Sequence, residues 1–236
     1  MKCTGLLWLP VAAVIIVIGG CSNTEGTKTP GSEPPAERGA AVGTGGAGAN
    51  LKSNGEFVHD VASKNMAEIE LSRMALDKSA SPEVKAFAQM MIHDHGAAED
   101  KLKSVDSGLA IDWPTQLDDK HRETADDLAN KQGPDFDRDY VKAMIEVHQD
   151  LAAKLESRLD VKSLAEWKTA AAGRTQRKTL PDPKVEMADV QVRPNTSDNE
   201  ITMKVNQWAA DTYPVAQKHL DTARTLENAT KKGSTD

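Results

Sequence analysis

Residues Phe87 to Leu102, FAQMMIHDHGAAEDKL, read as a single helix whose apolar stripe carries a histidine at its centre. Counting about 100° per residue from His95, the side chains of Val84, Ala88, Met91, Ala98 and Leu102 fall within about 60° of it, whereas His93 points to the opposite side. The same arithmetic on the other long stretches finds one ionisable residue at the middle of each apolar stripe. Val141, Met144, Ile145, Leu151, Ala152 and Leu155 flank His148. Val205, Trp208, Val215, Ala216, Ala223 and Leu226 surround His219, and Phe57, Val58, Val61, Ile69, Leu71, Ala75 and Leu76 form a broad face centred on Glu68, with Glu70 outside it.

Working outward, Ser81 is a good N-cap with Pro82 in the first turn, and Gly108 loosens the far end of that helix. Before it, a helix is expected over Gly55 to Lys78. After it come a short helix, Thr115 to Lys131, bounded by Pro114 and by Gly133 with Pro134, and a long one from Asp135 to Leu159. From Asp160 to Asn199 the periodicity breaks. Leu164 to Ala172 could extend a helix, but Pro181, Pro183 and Pro194 among polar residues predict an irregular excursion with a short hairpin around Val190 and Val192. The last helix is expected over Glu200 to Ala229, kinked at Pro214.

Four long helices and one short one predict an all-α bundle. The tight turn at Ser79 to Pro82 makes the first two helices antiparallel. The short helix can carry the chain back about 25 Å at about 1.5 Å per residue. The Asp135 helix then runs parallel to the second and the last one returns. The result is an up-down-down-up, ferritin-like order with an extra short crossover helix.

In such a bundle Glu68, His95, His148 and His219, each near the middle of its helix, reach one layer of the core. Glu99, one turn after His95, could join them. A glutamate and three imidazoles can ligate one zinc, copper, nickel or iron ion. The same groups can instead form a hydrogen-bonded polar layer that fixes helix register without metal. His121 faces the stripe of the short helix as a core or capping residue, and Met91 and Met144 read as gap-fillers. Asp94 and Glu146 adjoin the histidines in sequence but are expected to point away into solvent.

The N-terminus sets the compartment. Lys2, an apolar run from Leu6 to Ile18, and Gly19 and Gly20 before Cys21 read as a secretory signal, residues 1 to 20, too short for a comfortable membrane span. Ile18, Gly19, Gly20 and Cys21 resemble a bacterial lipobox, which implies lipidation of Cys21. Ser22 follows where the inner-membrane retention signal would be aspartate, so an outer-membrane lipoprotein facing the periplasm is expected. With Cys3 lost and Cys21 acylated, no thiol remains for a disulfide, a thiolate metal site or nucleophilic catalysis. Residues 21 to 54, rich in Gly, Ser, Thr, Pro and Ala, read as a disordered tether. The bundle domain follows over 55 to 230 with its insertion at 160 to 199, and 231 to 236 is a polar tail. A net charge of −7 with no basic stripe beyond Arg174 to Lys178, which reads as a solvated loop, argues against nucleic acid.

Three segments, MAEIELSRMALDKSASPEVKAFAQMMIHDH (66–95), FDRDYVKAMIEVHQD (136–150) and TYPVAQKHLDTARTL (212–226), resemble the bacterial domain of unknown function 4142 family, described as ferritin-like predicted outer-membrane proteins. The resemblance spans about residues 55 to 159 and 203 to 228. It implies that the family's acidic residue in the first helix is Glu68 or Glu70 and that its three histidines are His95, His148 and His219. Val147 stands where an aspartate usually precedes the second histidine, at a position expected to point off the core. Di-iron members of the ferritin-like class use Glu-x-x-His pairs on two helices. The single such pair here, Glu56 with His59, lies at the start of the first helix and reads as solvated, which argues against oxygen activation.

The sequence therefore points to a lipid-anchored helical bundle with one transition-metal ion in its core, or to a structural or stress-associated envelope lipoprotein acting through an unidentified protein partner. No nucleophile with its base is visible, so an enzyme is the least favoured class.

Overall fold

The structure, a computed structural model, describes residues 44–105, 109, 111–176 and 190–232. Six helices account for most of them: α1 (Thr44–Lys78), α2 (Pro82–Val105), α3 (Asp119–Ala129), α4 (Gly133–Glu156), α5 (Val161–Gln176) and α6 (Glu200–Lys232). Their ends follow local chemistry. The Ser81 hydroxyl accepts from the Val84 N–H at 3.2 Å, capping α2. Asp118 caps α3 through the His121 N–H, and Pro134 occupies the first turn of α4 after Gly133 at φ +58°.

Direction is fixed by contacts at matched heights. Arg158, just past α4, bonds Asn54 near the start of α1, while Tyr140 near the start of α4 meets Ser72 late in α1, so these helices are antiparallel. On the other side Asp94 of α2 bonds His219 and Ala98 accepts from Trp208, so α2 and α6 are antiparallel too. With α1 and α2 joined by the turn at Ser79 to Ser81, the order is up, down, down, up, as expected.

The core has two apolar clusters. One contains Phe57, Val61, Leu102, Leu155, Trp208 and Tyr213; the other contains Leu71, Phe87, Met91, Phe136, Tyr140 and Met144. On every long helix the residue separating the two sets is one of Glu68, His95, His148 and His219. Each fully buried aliphatic or aromatic side chain contributes about 1.5–3 kcal/mol, and this is what holds the polar layer between the clusters dry and in register.

Several expectations are corrected. Helix α1 begins at Thr44 rather than Gly55, so residues 44–54 are helical and not tether; Asn54 is buried, donating to Thr202 and accepting from Arg158. A helix already nucleated by the packed core extends cheaply even through glycines. Val161–Gln176 is a separate helix rather than an irregular stretch, with Leu164 and Trp167 packed on the core. Val190 and Val192 form no strand among the described residues; the extended segment there makes one antiparallel bridge, Leu159 to Pro194, and buries Val192. Val215, expected on the inner face of α6, is 42% exposed. Pro214 lies inside the helix, which continues to Lys232 and takes in part of the expected polar tail. The signal segment, Cys21 and residues 22–43 lie outside the described residues, as do Lys178 and the remainder of the excursion to residue 189. No helix among the described residues is long and apolar enough to cross a membrane.

Candidate metal centre

Glu68 (α1), His95 (α2), His148 (α4) and His219 (α6) meet in the middle of the bundle, all at most 5% exposed. The three imidazole centroids form a nearly equilateral triangle, 5.4, 5.4 and 5.5 Å on its sides. One nitrogen of each ring lies within 4.8 Å of one nitrogen of each of the others.

The hydrogen bonds on the outer sides of the rings assign the protons. His95 Nδ1 is 2.6 Å from Asn65 Oδ1 and 2.8 Å from Glu68 Oε2; Asn65 also donates to the His95 carbonyl at 2.7 Å, which fixes its amide. His148 Nδ1 donates to the Met144 carbonyl at 2.8 Å, with Glu68 Oε1 3.0 Å away. The Glu68 oxygens sit beside these N–H groups rather than on their axes, so the pairing is electrostatic while Asn65 and Met144 take the directed bonds. His219 is turned the other way: its Nε2 donates to Asp94 Oδ2 at 2.9 Å. Nδ1 therefore carries the proton on His95 and His148, and Nε2 carries it on His219. The remaining nitrogens, His95 Nε2, His148 Nε2 and His219 Nδ1, are buried with no hydrogen-bond partner.

Burial pushes the His148 imidazole below its ordinary pKa against the pull of Glu68. Burial, with His95 alongside, pushes His219 down to about 4 despite Asp94. Burial alone would raise the Glu68 carboxyl, but the imidazoles of His148 and His95 outweigh it and hold it at about 2. The layer thus contains a buried carboxylate among imidazoles of which at least two are neutral at pH 7, an arrangement that a cation would stabilise.

Glu99 is not brought in; its Oε1 is 2.5 Å from Lys103 Nζ on the outer face of α2. Glu70 is exposed and pairs with Arg73. His121 is buried on Asp118, a capping histidine as read from the sequence, and Met91 and Met144 fill the core. His59 is not simply solvated, its Nδ1 lying 2.5 Å from the Asp112 carbonyl. Val147, expected to point off the core, is 4% exposed.

Two contributors escaped the sequence reading. Asn65 was within reach of it, since it lies one turn before Glu68 on the same stripe. Asp94, expected in solvent, is drawn to His219 because α6 packs on that flank of α2, which no single-helix pattern reveals. Burial tends to raise the Asp94 carboxyl, but the bonds to His93 and His219 lower it, so it serves as an anionic acceptor.

A family model described as "Domain of unknown function (DUF4142)" matches residues 40–180, well over half of the chain. The match stops before α6, so His219 joins the site from outside it. No curated protein matches the sequence. A solved structure titled "CopM in the Cu(II)-bound form" is similar at a TM-score of 0.47 and 15% identity, over 75% of this chain and 96% of that one; a likeness that low bears on neither fold nor ligand.

Proposed function

We propose that this chain, which belongs to the DUF4142 family, binds one transition-metal ion in its bundle core through His95 Nε2, His148 Nε2 and His219 Nδ1. The observation that carries the reading is the set of three buried, unpartnered nitrogens, each on a ring whose other nitrogen is held by an oxygen acceptor. Hydrogen-bonded outer nitrogens of this kind fix the tautomer and ring orientation of metal-bound histidines. Glu68 and Asp94 face the protonated sides of the rings. They orient the donors and offset the charge of the ion without ligating it.

An imidazole donor set suits zinc, copper, nickel or iron(II). Metal–nitrogen bonds of about 2.0–2.1 Å need donors about 3.5 Å apart, so ring nitrogens now within 4.8 Å of one another close by about 1.3 Å at most on binding. The ion supplies Lewis acidity or a redox centre; this chain supplies a dry, preorganised socket. The bundle is carried at the bacterial envelope, facing the periplasm, by a lipid on Cys21. The signal-like run before that cysteine supports this placement.

Protein prepared without an affinity tag should retain metal or take it up. At a free metal concentration about 100-fold above the dissociation constant, the native state gains about 2.7 kcal/mol, read as a rise in Tm. His148→Ala abolishes that rise. Metal-free protein whose melt is unmoved by zinc, copper, nickel or iron(II) would overturn the site. The layer would then only set register, and His148→Ala would cost about 1–3 kcal/mol with or without metal.

A further inference from the structure

The supports of the three rings are unequal. Asn65 and Glu68 are 6% and 0% exposed, and Met144 is fully buried, so the sides of His95 and His148 are sealed. The support of His219 is not: the Asp94 side chain is 32% exposed and lines a groove of about 600 Å³ between α2 and α6. Beyond it, His93 Nδ1 lies 2.9 Å from Asp94 Oδ1, and the His93 side chain is 83% exposed. Solvent, His93, Asp94 and His219 thus form one continuous chain of ligand-type groups. The cavities beside Arg158, beside Trp167 and beside Pro134 include neither a ring of the triad nor a side chain that supports one.

Resting on the metal-site reading, we propose that the ion exchanges between solvent and the triad at this α2/α6 seam, taken first by the His93 imidazole and the Asp94 carboxylate, with His219 as the ligand that detaches. An imidazole beside a carboxylate is a competent transient pair for a divalent transition metal. Asp94 offers the ion Oδ1, the oxygen facing His93, and drawing the carboxylate toward the ion loosens Oδ2 from His219 Nε2, which leaves that ring freer to turn than His95 and His148, whose supports are buried. Lys101 and Lys204 also line the groove, Lys204 paired with Glu200, and Asp211 joins Asp94 as a second carboxylate in its wall, so the groove is not barred to a cation.

An intermediate common to loading and unloading lowers one barrier crossed in both directions, so removing it slows both rates and leaves the equilibrium unchanged. The test uses untagged full-length protein and cobalt(II), followed by its visible absorption, with uptake by stopped flow and release into excess EDTA. His93→Ala, which removes an exposed side chain bonded to Asp94, slows uptake and release by a similar factor of about ten. Its dissociation constant and metal-free Tm stay within twofold and about 1 °C of the parent. His59→Ala, more than two turns before Glu68 on α1 and in contact with Asp112, leaves both rates unchanged. Rates for His93→Ala within twofold of the parent, or a fall in affinity with unchanged uptake, overturn the route while leaving the site intact. Failure of the parent protein to bind cobalt(II) in a His148-dependent way overturns both.

Discussion

At the scale of single residues, the orientation of each imidazole matters as much as its presence. His219 is flipped relative to His95 and His148 because its acceptor, Asp94, lies on the α2 flank rather than toward Glu68. Burial of these rings fixes the sign of the pH response. His219 and His148 have folded pKa values below the unfolded value of about 6.5, so below that pH the unfolded chain binds more protons than the native one. Stability of the metal-free protein therefore falls as pH drops from about 6.5 toward 4 and flattens for His219 below about 4, with a loss on the order of 3 kcal/mol from that residue. Glu68, lowered to about 2, acts in the same direction, its contribution present above about 4.5 and lost as pH falls through its folded value. Thermal melts between pH 4 and 8 with no slope would contradict this account of the layer. Glu68→Gln removes the charge that faces two of the rings, and metal affinity measured by competition should fall about 10- to 100-fold.

The helices derive their precision from their ends and seams. Ser81 caps α2 through the Val84 N–H, so Ser81→Ala should cost about 1 kcal/mol in chemical denaturation at unchanged m-value. At the opposite end of the bundle, Asn54 joins α1, α4 and α6 through Arg158 and Thr202 while almost fully buried. Asn54→Ala should cost on the order of 1–3 kcal/mol, because it removes two hydrogen bonds made by an almost fully buried side chain. A neutral result would show that the extension of α1 before Gly55 is not coupled to the core. Glu68, His95, His148 and His219 were legible from 3.6-residue periodicity because each sits mid-stripe. Asp94 was not, since a residue about 100° from the stripe centre is inward or outward according to which neighbour covers that flank.

For the whole molecule, the polar layer lies between two apolar clusters, which places the proposed metal site in the interior of the bundle. The proposed lipid anchor at Cys21 is tested by removing its thiol. Replacement by alanine should move the protein from the membrane to the soluble fraction, or stall its processing, with a mass change equal to the missing lipid. Unchanged fractionation together with unchanged mass would refute the anchor. Because Cys21 precedes the bundle helices in the chain and supplies none of the three imidazoles, the same variant should bind metal and melt as the parent does.

The sequence by itself determined the helices, their up-down-down-up order and the four side chains at mid-height, because periodicity and short connections act locally and leave their mark in linear spacing. It also carried the resemblance to the DUF4142 family. Tertiary structure alone decided which way each ring turns, that Glu68 and Asp94 lie beside the protonated sides of the rings, that Glu99 stays outside with Lys103, that residues 44–54 are helical and that 161–176 form a helix of their own. Those outcomes depend on which helices flank one another and on burial that removes water as a competing partner, and neither quantity exists until the bundle has closed.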